Sequence, residues 1–228
     1  MSDVGLRDLA GQAAHRTVQI DVVSDAVCPW CYIGKRNLEA ALAGLPDVVP
    51  TIHWRPYQLD PTIPAGGLDR HDYMARKFGE DRLAGIHARL TEAGKAAGLD
   101  FAFDRIRRSP NTLDAHRLIR WAWSAGKQDA VVEALFRAFF IDGEDIGDRE
   151  VLTARAAGAG MDPEIVTRLL DEGADADAVR GEIEKARSLG VTGVPFFILE
   201  GRIGVSGAQP PEVLARAISK ALEPAEQA

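Results

Sequence analysis

Residues 17–24 (TVQIDVVS) run through Asp25, Ala26 and Val27 into Cys28-Pro29-Trp30-Cys31-Tyr32, and this junction decides the fold. Before it, apolar Val18, Ile20 and Val22 alternate with more polar neighbours and Val23 extends them, the pattern of a buried strand. After it, Leu38, Leu42 and Leu45 recur four and three residues apart, which predicts one face of a helix over 32–45. Pro29 stands where a first helical residue belongs, because an N–H there would have no intrahelical partner. Residues 48–57 (VVPTIHWRPY) return to a strand-like pattern with Val49, Ile52 and Trp54 directed inward. Strand, helix and strand together fit a βαβ unit of about 30 residues.

Working outward, residues 61–174 change character and become helical segments separated by Gly and Pro, four or five in number. One is announced by Asp162-Pro163-Glu164, an N-cap, a first-turn proline and an acid, and carries Ile165, Val166, Leu169 and Leu170 up to Gly173. A second covers 128–141 with Val132, Leu135, Phe136, Phe139 and Phe140 on its apolar side; a third, capped by Asn111 or Thr112, carries His116, Trp121 and Trp123. The two tryptophans and the phenylalanine group are read as core of these helices. Val179, Ile183, Ala186 and Leu189 mark another helix, stopped at Gly190. Residues 196–199 (FFIL) and 202–206 (RIGVS) flank Glu200-Gly201 as a β-hairpin, and Pro210-Pro211-Glu212 opens a last helix. A βαβ half cannot close a sheet alone, so the hairpin is expected to join it, with the helical block as an insertion. The expected division is one discontinuous α/β domain, 17–60 with 175–224, an inserted helical domain over 61–174, and an N-terminal extension over 1–16.

The 228 residues, 46% hydrophobic and 27% charged, belong to a globular chain with a sizeable core. A formal net charge of -7 with no basic stripe argues against nucleic acid or anionic lipid as partners. No stretch reaches membrane-spanning length, and residues 1–17 hold no secretory apolar run, so a cytoplasmic protein is expected. The two cysteines are three positions apart, which leaves no disulfide framework and puts all thiol chemistry in one place.

A Cys-X-X-Cys at a strand-to-helix junction suits thiol exchange. The first sulfur meets the unpaired N–H groups and the positive end of the helix dipole, which favour thiolate, so Cys28 is the expected nucleophile. Cys31, one turn later, is the expected resolving thiol. The competing reading is a pair of small buried hydrophobes or half of a zinc site. Zinc needs two further ligands, and His15, His53, His71, His87 and His116 show no paired spacing near the cysteines, so no metal is expected. Asp25, three residues before Cys28, is a candidate modulator of the thiols, with Pro29 beside it, although an aspartate at a strand end is most often a turn residue. Pro195, just before a strand, reads as a strand-entry proline or as a cis proline in a turn.

Taken together, Cys28-Pro29-Trp30-Cys31-Tyr32 and Val191-Thr192-Gly193-Val194-Pro195 resemble the DsbA family of thiol-disulfide oxidoreductases in the thioredoxin superfamily, over nearly the whole chain. Within it, His53-Trp54-Arg55-Pro56-Tyr57, Ser109-Pro110-Asn111-Thr112 and Ala115-His116-Arg117 resemble the FrnE-like cytoplasmic subgroup. The resemblance implies a thioredoxin-like fold with a large helical insertion and a cis Pro195 facing the cysteines. It also implies that the Val194 backbone pairs with an extended substrate by strand addition. Asn111 and His116 then become candidate substrate-side residues, and Trp30 and Tyr32 a candidate apolar rim for peptide, with packing as the other reading of these two aromatic residues.

The expected activity is dithiol-disulfide exchange on protein or small-molecule disulfides, with no cofactor beyond the Cys28–Cys31 couple, and glutathione as a conceivable co-substrate. Two alternatives stand beside it. Glutathione-dependent isomerases and transferases of the kappa type share the helical insertion, but commonly hold serine at the reactive place. A peptide-binding holdase without turnover would use the groove near Val194 and Pro195. A monomer and a homodimer are equally compatible with the sequence.

Overall fold

A computed structural model describes residues 15–224; residues 1–14, nearly all of the expected N-terminal extension, lie outside them. The chain opens with β1 (Arg16–Ser24), α1 (Pro29–Ala43) and β2 (Val48–Pro56). There follow β3 (Leu68–Asp69), α2 (Arg70–Phe78), α3 (Glu80–Ala96), a 3-10 turn at Phe103–Arg105 and β4 (Arg108–Ser109). Next come α4 (Leu113–Ser124), α5 (Gln128–Arg137) running into a π turn at Ala138–Asp142, α6 (Arg149–Gly158) and α7 (Pro163–Asp171). The chain closes with α8 (Ala176–Ser188), β5 (Phe196–Leu199), β6 (Ile203–Ser206) and α9 (Pro211–Ala221).

The main sheet has the order β2-β1-β5-β6, with β1 and β2 parallel and both other pairings antiparallel. The hairpin thus joins the βαβ unit, as its incomplete sheet requires. Its turn is tight because Glu200 and Gly201 both adopt positive φ, 52° and 62°. This is a mixed α/β, thioredoxin-like fold with a helical insertion. One continuous core passes from Ile20 and Val22 through Tyr32 and Trp54 to Phe136, Phe139 and Phe140 of the insertion. Tyr32 is the joint: its ring stacks on Phe136 at 4.9 Å and its hydroxyl donates to Glu133 at 2.7 Å.

Several local expectations change. Residues 61–174 hold six α-helices, not four or five, because Gly79 (φ 85°) separates α2 from α3 inside one polar, weakly periodic stretch. The two-residue pairing of β3 with β4 is too short to leave a periodic signal. Trp123, read as core, is 41% exposed and lies flat on His53, ring centroids 3.9 Å apart. Val49 faces outward, out of phase with Ile52 and Trp54, and Val48 takes the inward place expected of it. Ile165 and Leu189 are exposed as well, so neither belongs to the apolar face assigned to it.

Candidate active site

The end of β1 delivers Cys28 to the N-cap of α1 in an extended conformation (φ -93°, ψ 111°), with Pro29 opening the helix. The Cys28 N–H donates to the Asp25 carbonyl at 3.0 Å, and the Cys28 carbonyl accepts the Cys31 N–H at 3.0 Å. Both residues carry free thiols and are buried, Cys28 to 4% exposure and Cys31 to 0%. The Cys28 thiol donates to the Val194 carbonyl at 3.6 Å, and the Val194–Pro195 peptide is cis. Among the described residues no backbone group pairs with the N–H or carbonyl of Val194, whereas the Pro195 carbonyl accepts from Gly207 at 2.8 Å. Gly34, one turn beyond Cys31, lets this loop settle on α1: a Cβ there would meet Pro195 Cγ at 2.9 Å.

The two sulfurs occupy different surroundings. Cys28 lies at the N-cap of α1, at the positive end of the helix dipole, where Pro29 carries no N–H and the Cys31 N–H is taken by the Cys28 carbonyl. The Cys31 thiol is pushed well above its ordinary pKa, first by burial and then by the hydrogen bond and charge of Cys28; contacts with Ser24 and the Asp25 backbone oppose this. Tyr32 belongs to the core and not to the rim, and burial together with Glu133 raises its pKa.

Asp25 is buried. Its Oδ2 accepts the Leu59 N–H at 2.8 Å, and its Oδ1 lies 3.3 Å from His116 Nε2. That nitrogen is also 2.8 Å from the Tyr57 carbonyl, which can only accept, so the proton is assigned to Nε2. Asn111 is equally committed. Its Oδ1 accepts from Gln58 at 3.0 Å and from the Leu113 N–H at 2.9 Å, and its Nδ2 donates to the Ile63 carbonyl at 2.6 Å. His116 and Asn111 therefore brace the 57–63 loop behind the site, and neither is among the residues that line the cleft beside Cys28. Trp30, Pro29, Asp25 and Val194 do line it.

That cleft, ≈ 340 Å³, opens between Cys28, the Gly193–Val194 loop and the α2–α3 hairpin. Met74, Phe78, Ile86, Leu90 and Phe103 make its wall apolar, while Trp30, Leu59 and Phe78 leave large hydrophobic surface open at the rim. Arg70, Tyr73, Lys77 and His87 add polar groups. Sequence reasoning missed this wall, because α2 and α3 carry no motif and their lining residues are scattered apolar positions in a polar stretch. Among the described residues no cluster of three or more His, Cys, Asp or Glu is arranged to hold a metal ion. No helix among them is long and apolar enough to cross a membrane.

The arrangement can be set beside known proteins. The DSBA-like thioredoxin domain matches this chain over residues 19–219. The YwbO protein of Bacillus subtilis (strain 168) is 29% identical over 204 residues, covering 89% of this chain and 96% of its own. The "probable DsbA oxidoreductase SCO1869 from Streptomyces coelicolor" superposes with a TM-score of 0.82 at 34% identity, over 92% of this chain and 94% of that one. The cytosolic disulfide reductase DsbM from Pseudomonas aeruginosa, solved with GSH, shares the fold at a TM-score of 0.60 and 20% identity, over 90% and 98% of the two chains. The domain match takes in both parts of the sheet, the helical insertion, the cysteine pair and Pro195, and the chain belongs to the DSBA-like thioredoxin domain family.

Proposed function

We propose that the protein is a dithiol-disulfide oxidoreductase in which Cys28 is the nucleophile and Cys31 the resolving thiol. The observation that carries this is the Cys28 sulfur at the N-cap of α1, 3.6 Å from the carbonyl of Val194, with Cys31 buried one turn behind it. In the reductive direction the Cys28 thiolate attacks one sulfur of a substrate disulfide, and the other substrate sulfur leaves as thiolate. Cys31 then loses its proton and attacks Cys28 Sγ, which releases the second substrate thiol and closes the Cys28–Cys31 disulfide. The substrate gains two electrons and two protons; the reverse sequence oxidises a dithiol. Once Cys28 is tied up in the mixed disulfide it no longer holds the Cys31 proton in place, so the resolving step becomes easier at the stage where it is needed.

Among the described residues the Val194 N–H has no backbone partner and its carbonyl meets only the Cys28 thiol, which suits an extended substrate segment added along the loop, and the Trp30, Leu59 and Phe78 rim suits its apolar side chains. The proposal includes membership of the FrnE-like subgroup, supported by residues 53–57, 109–112 and 115–117, of which His116 bonds the Tyr57 carbonyl and Ser109, Pro110 and Thr112 line the cleft. It also includes work in the cytoplasm, as the name of the fold relative DsbM states for that protein. A reducing compartment would keep the pair as a dithiol and favour reduction or isomerisation over bulk oxidation. Two cysteines within one turn favour exchange over the kappa-type isomerase reading.

The test is equilibration in graded reduced and oxidised glutathione, followed by thiol alkylation and tryptophan fluorescence. A single two-electron transition that vanishes in Cys28→Ser is expected. If no intramolecular disulfide forms at any ratio, the exchange mechanism is wrong.

A further inference from the structure

Four charged side chains line the cleft beside Cys28: Asp25, Asp60, Arg70 and Lys77. Three of them are answered within the protein. Asp25 accepts from Leu59 and faces His116. Asp60 accepts the Thr62 N–H at 3.1 Å and the Tyr73 hydroxyl at 3.0 Å, and lies 3.7 Å from Lys77 Nζ. Arg70 stands apart. Among the described residues no carboxylate lies within ion-pair distance of it, and its side chain makes one hydrogen bond, 3.4 Å to Ser109 Oγ. Its guanidinium is held over the Phe139 ring at 5.8 Å. Burial lowers its pKa to about 10, which leaves it charged at neutral pH.

His87 lines the same cleft from α3, its ring stacked on Phe103 at 4.9 Å. Its Nε2 is buried and has no hydrogen-bond partner among the described residues. Burial and the charge of Arg70 both lower its pKa, so it is a neutral ring with a polar atom to offer. A half-buried cation without a counterion and a buried nitrogen without a partner each cost free energy in a folded protein, and buried polar groups are otherwise nearly always satisfied. An anion in the cleft would give the Arg70 guanidinium a counterion and a charge-assisted hydrogen bond.

We propose that Arg70, assisted by His87, receives a carboxylate carried by the disulfide substrate, so that the cleft selects anionic over neutral disulfides for exchange at Cys28. The inference rests on the exchange reading and names its substrate class. A cleft of ≈ 340 Å³ fits a low-molecular-mass disulfide bearing carboxylates, and an acidic peptide is the other source of the same group.

Glutathione disulfide and its fully esterified form have the same reacting sulfurs and differ in their carboxylates. Mixed with the reduced protein in single turnover, each would yield the oxidised protein and two thiols. We expect the acid to react about tenfold faster or more, the size of one charge-assisted hydrogen bond. Non-specific electrostatics pushes the other way, because the net charge of -7 repels an anion. The ratio should fall towards one in Arg70→Gln and survive in part in Arg70→Lys. A redox-inert arm compares S-methylglutathione with its diethyl ester by calorimetry on the wild type and Arg70→Gln. If no disulfide reacts yet this preference is present and needs Arg70, the exchange reading fails and the carboxylate site stands. Discrimination seen only with an acidic peptide disulfide against its amidated form supports the site with peptide as the source. Absence of discrimination in every arm, or an Arg70→Gln variant that loses acid and ester equally, overturns the inference.

Discussion

Cys28 and Cys31 differ in role because one helical turn separates a dipole end from a closed core. Cys28 has the Val194 carbonyl beside it and stands at the N-cap of α1, whereas Cys31 is fully enclosed. The roles predict different trapped species. In Cys31→Ser the mixed disulfide of Cys28 with substrate has nothing to resolve it, so it should accumulate and be visible by mass spectrometry under non-reducing conditions. Cys28→Ser should form none. A covalent adduct on Cys31 of the Cys28→Ser protein, at a rate like that of Cys28, would reverse the assignment. Asp25 works at the same scale through the backbone it holds. Asp25→Ala leaves the Leu59 N–H without its acceptor and should cost about 1–3 kcal/mol. Asp25→Asn keeps an acceptor oxygen and should cost less. Urea midpoints with unchanged m-values read the difference, and equal losses would show that the Leu59 bond is not what Asp25 contributes.

Between elements, the closest approach that shapes the site is α1 against the loop before β5. Gly34 makes it possible, since a methyl group there would stand 2.9 Å from Pro195 Cγ and 3.3 Å from Phe197 Cζ. Gly34→Ala gains about 1 kcal/mol of helix propensity and loses about 1–3 kcal/mol to overpacking. A net loss of about 1 kcal/mol is expected, with slower exchange because the loop that carries Val194 must move. Gly44→Ala at the far end of α1 meets only helix carbonyls, nearest at 3.4 Å, and should leave the exchange rate alone. Equal rates in both variants would remove the Gly34–Pro195 contact from the mechanism.

The junction of β1 with α1 and the hairpin of β5 with β6 were legible in the sequence, because alternation, a proline at the first helical position and Glu200-Gly201 are local signals. The α2–α3 wall was not. Arg70 and His87 are distinguished only by what they lack around them, and a missing counterion has no sequence signature. Trp123 misled for a related reason: a large aromatic side chain suggests a core, yet this one covers His53 on the outside of the sheet.

At the scale of the whole molecule, sheet and insertion share one core, so their joint surfaces contribute to a single unfolding transition. His53 lies in such a surface, stacked on Trp123 across the β2–α4 boundary. Its pKa is lowered from 6.5 to about 4, first by burial and then by Arg55 and Arg120, with Asp21 opposing. The folded protein therefore resists a proton that the unfolded chain takes up near pH 6.5. Stability from this group is fully present above about pH 6.5 and is lost as the pH falls towards about 4. The ring is only partly buried, so solvent screening should hold the loss to about 1–2 kcal/mol. His53→Phe keeps an aromatic ring on Trp123 and cannot titrate. Urea unfolding of both proteins across this range should show the wild type losing stability to the variant on acidification. The remaining carboxylates and His71 are common to both chains and drop out of the difference. Parallel pH profiles would mean that His53 is as accessible to protons in the folded state as in the unfolded one, and that the β2–α4 boundary opens without the rest of the core.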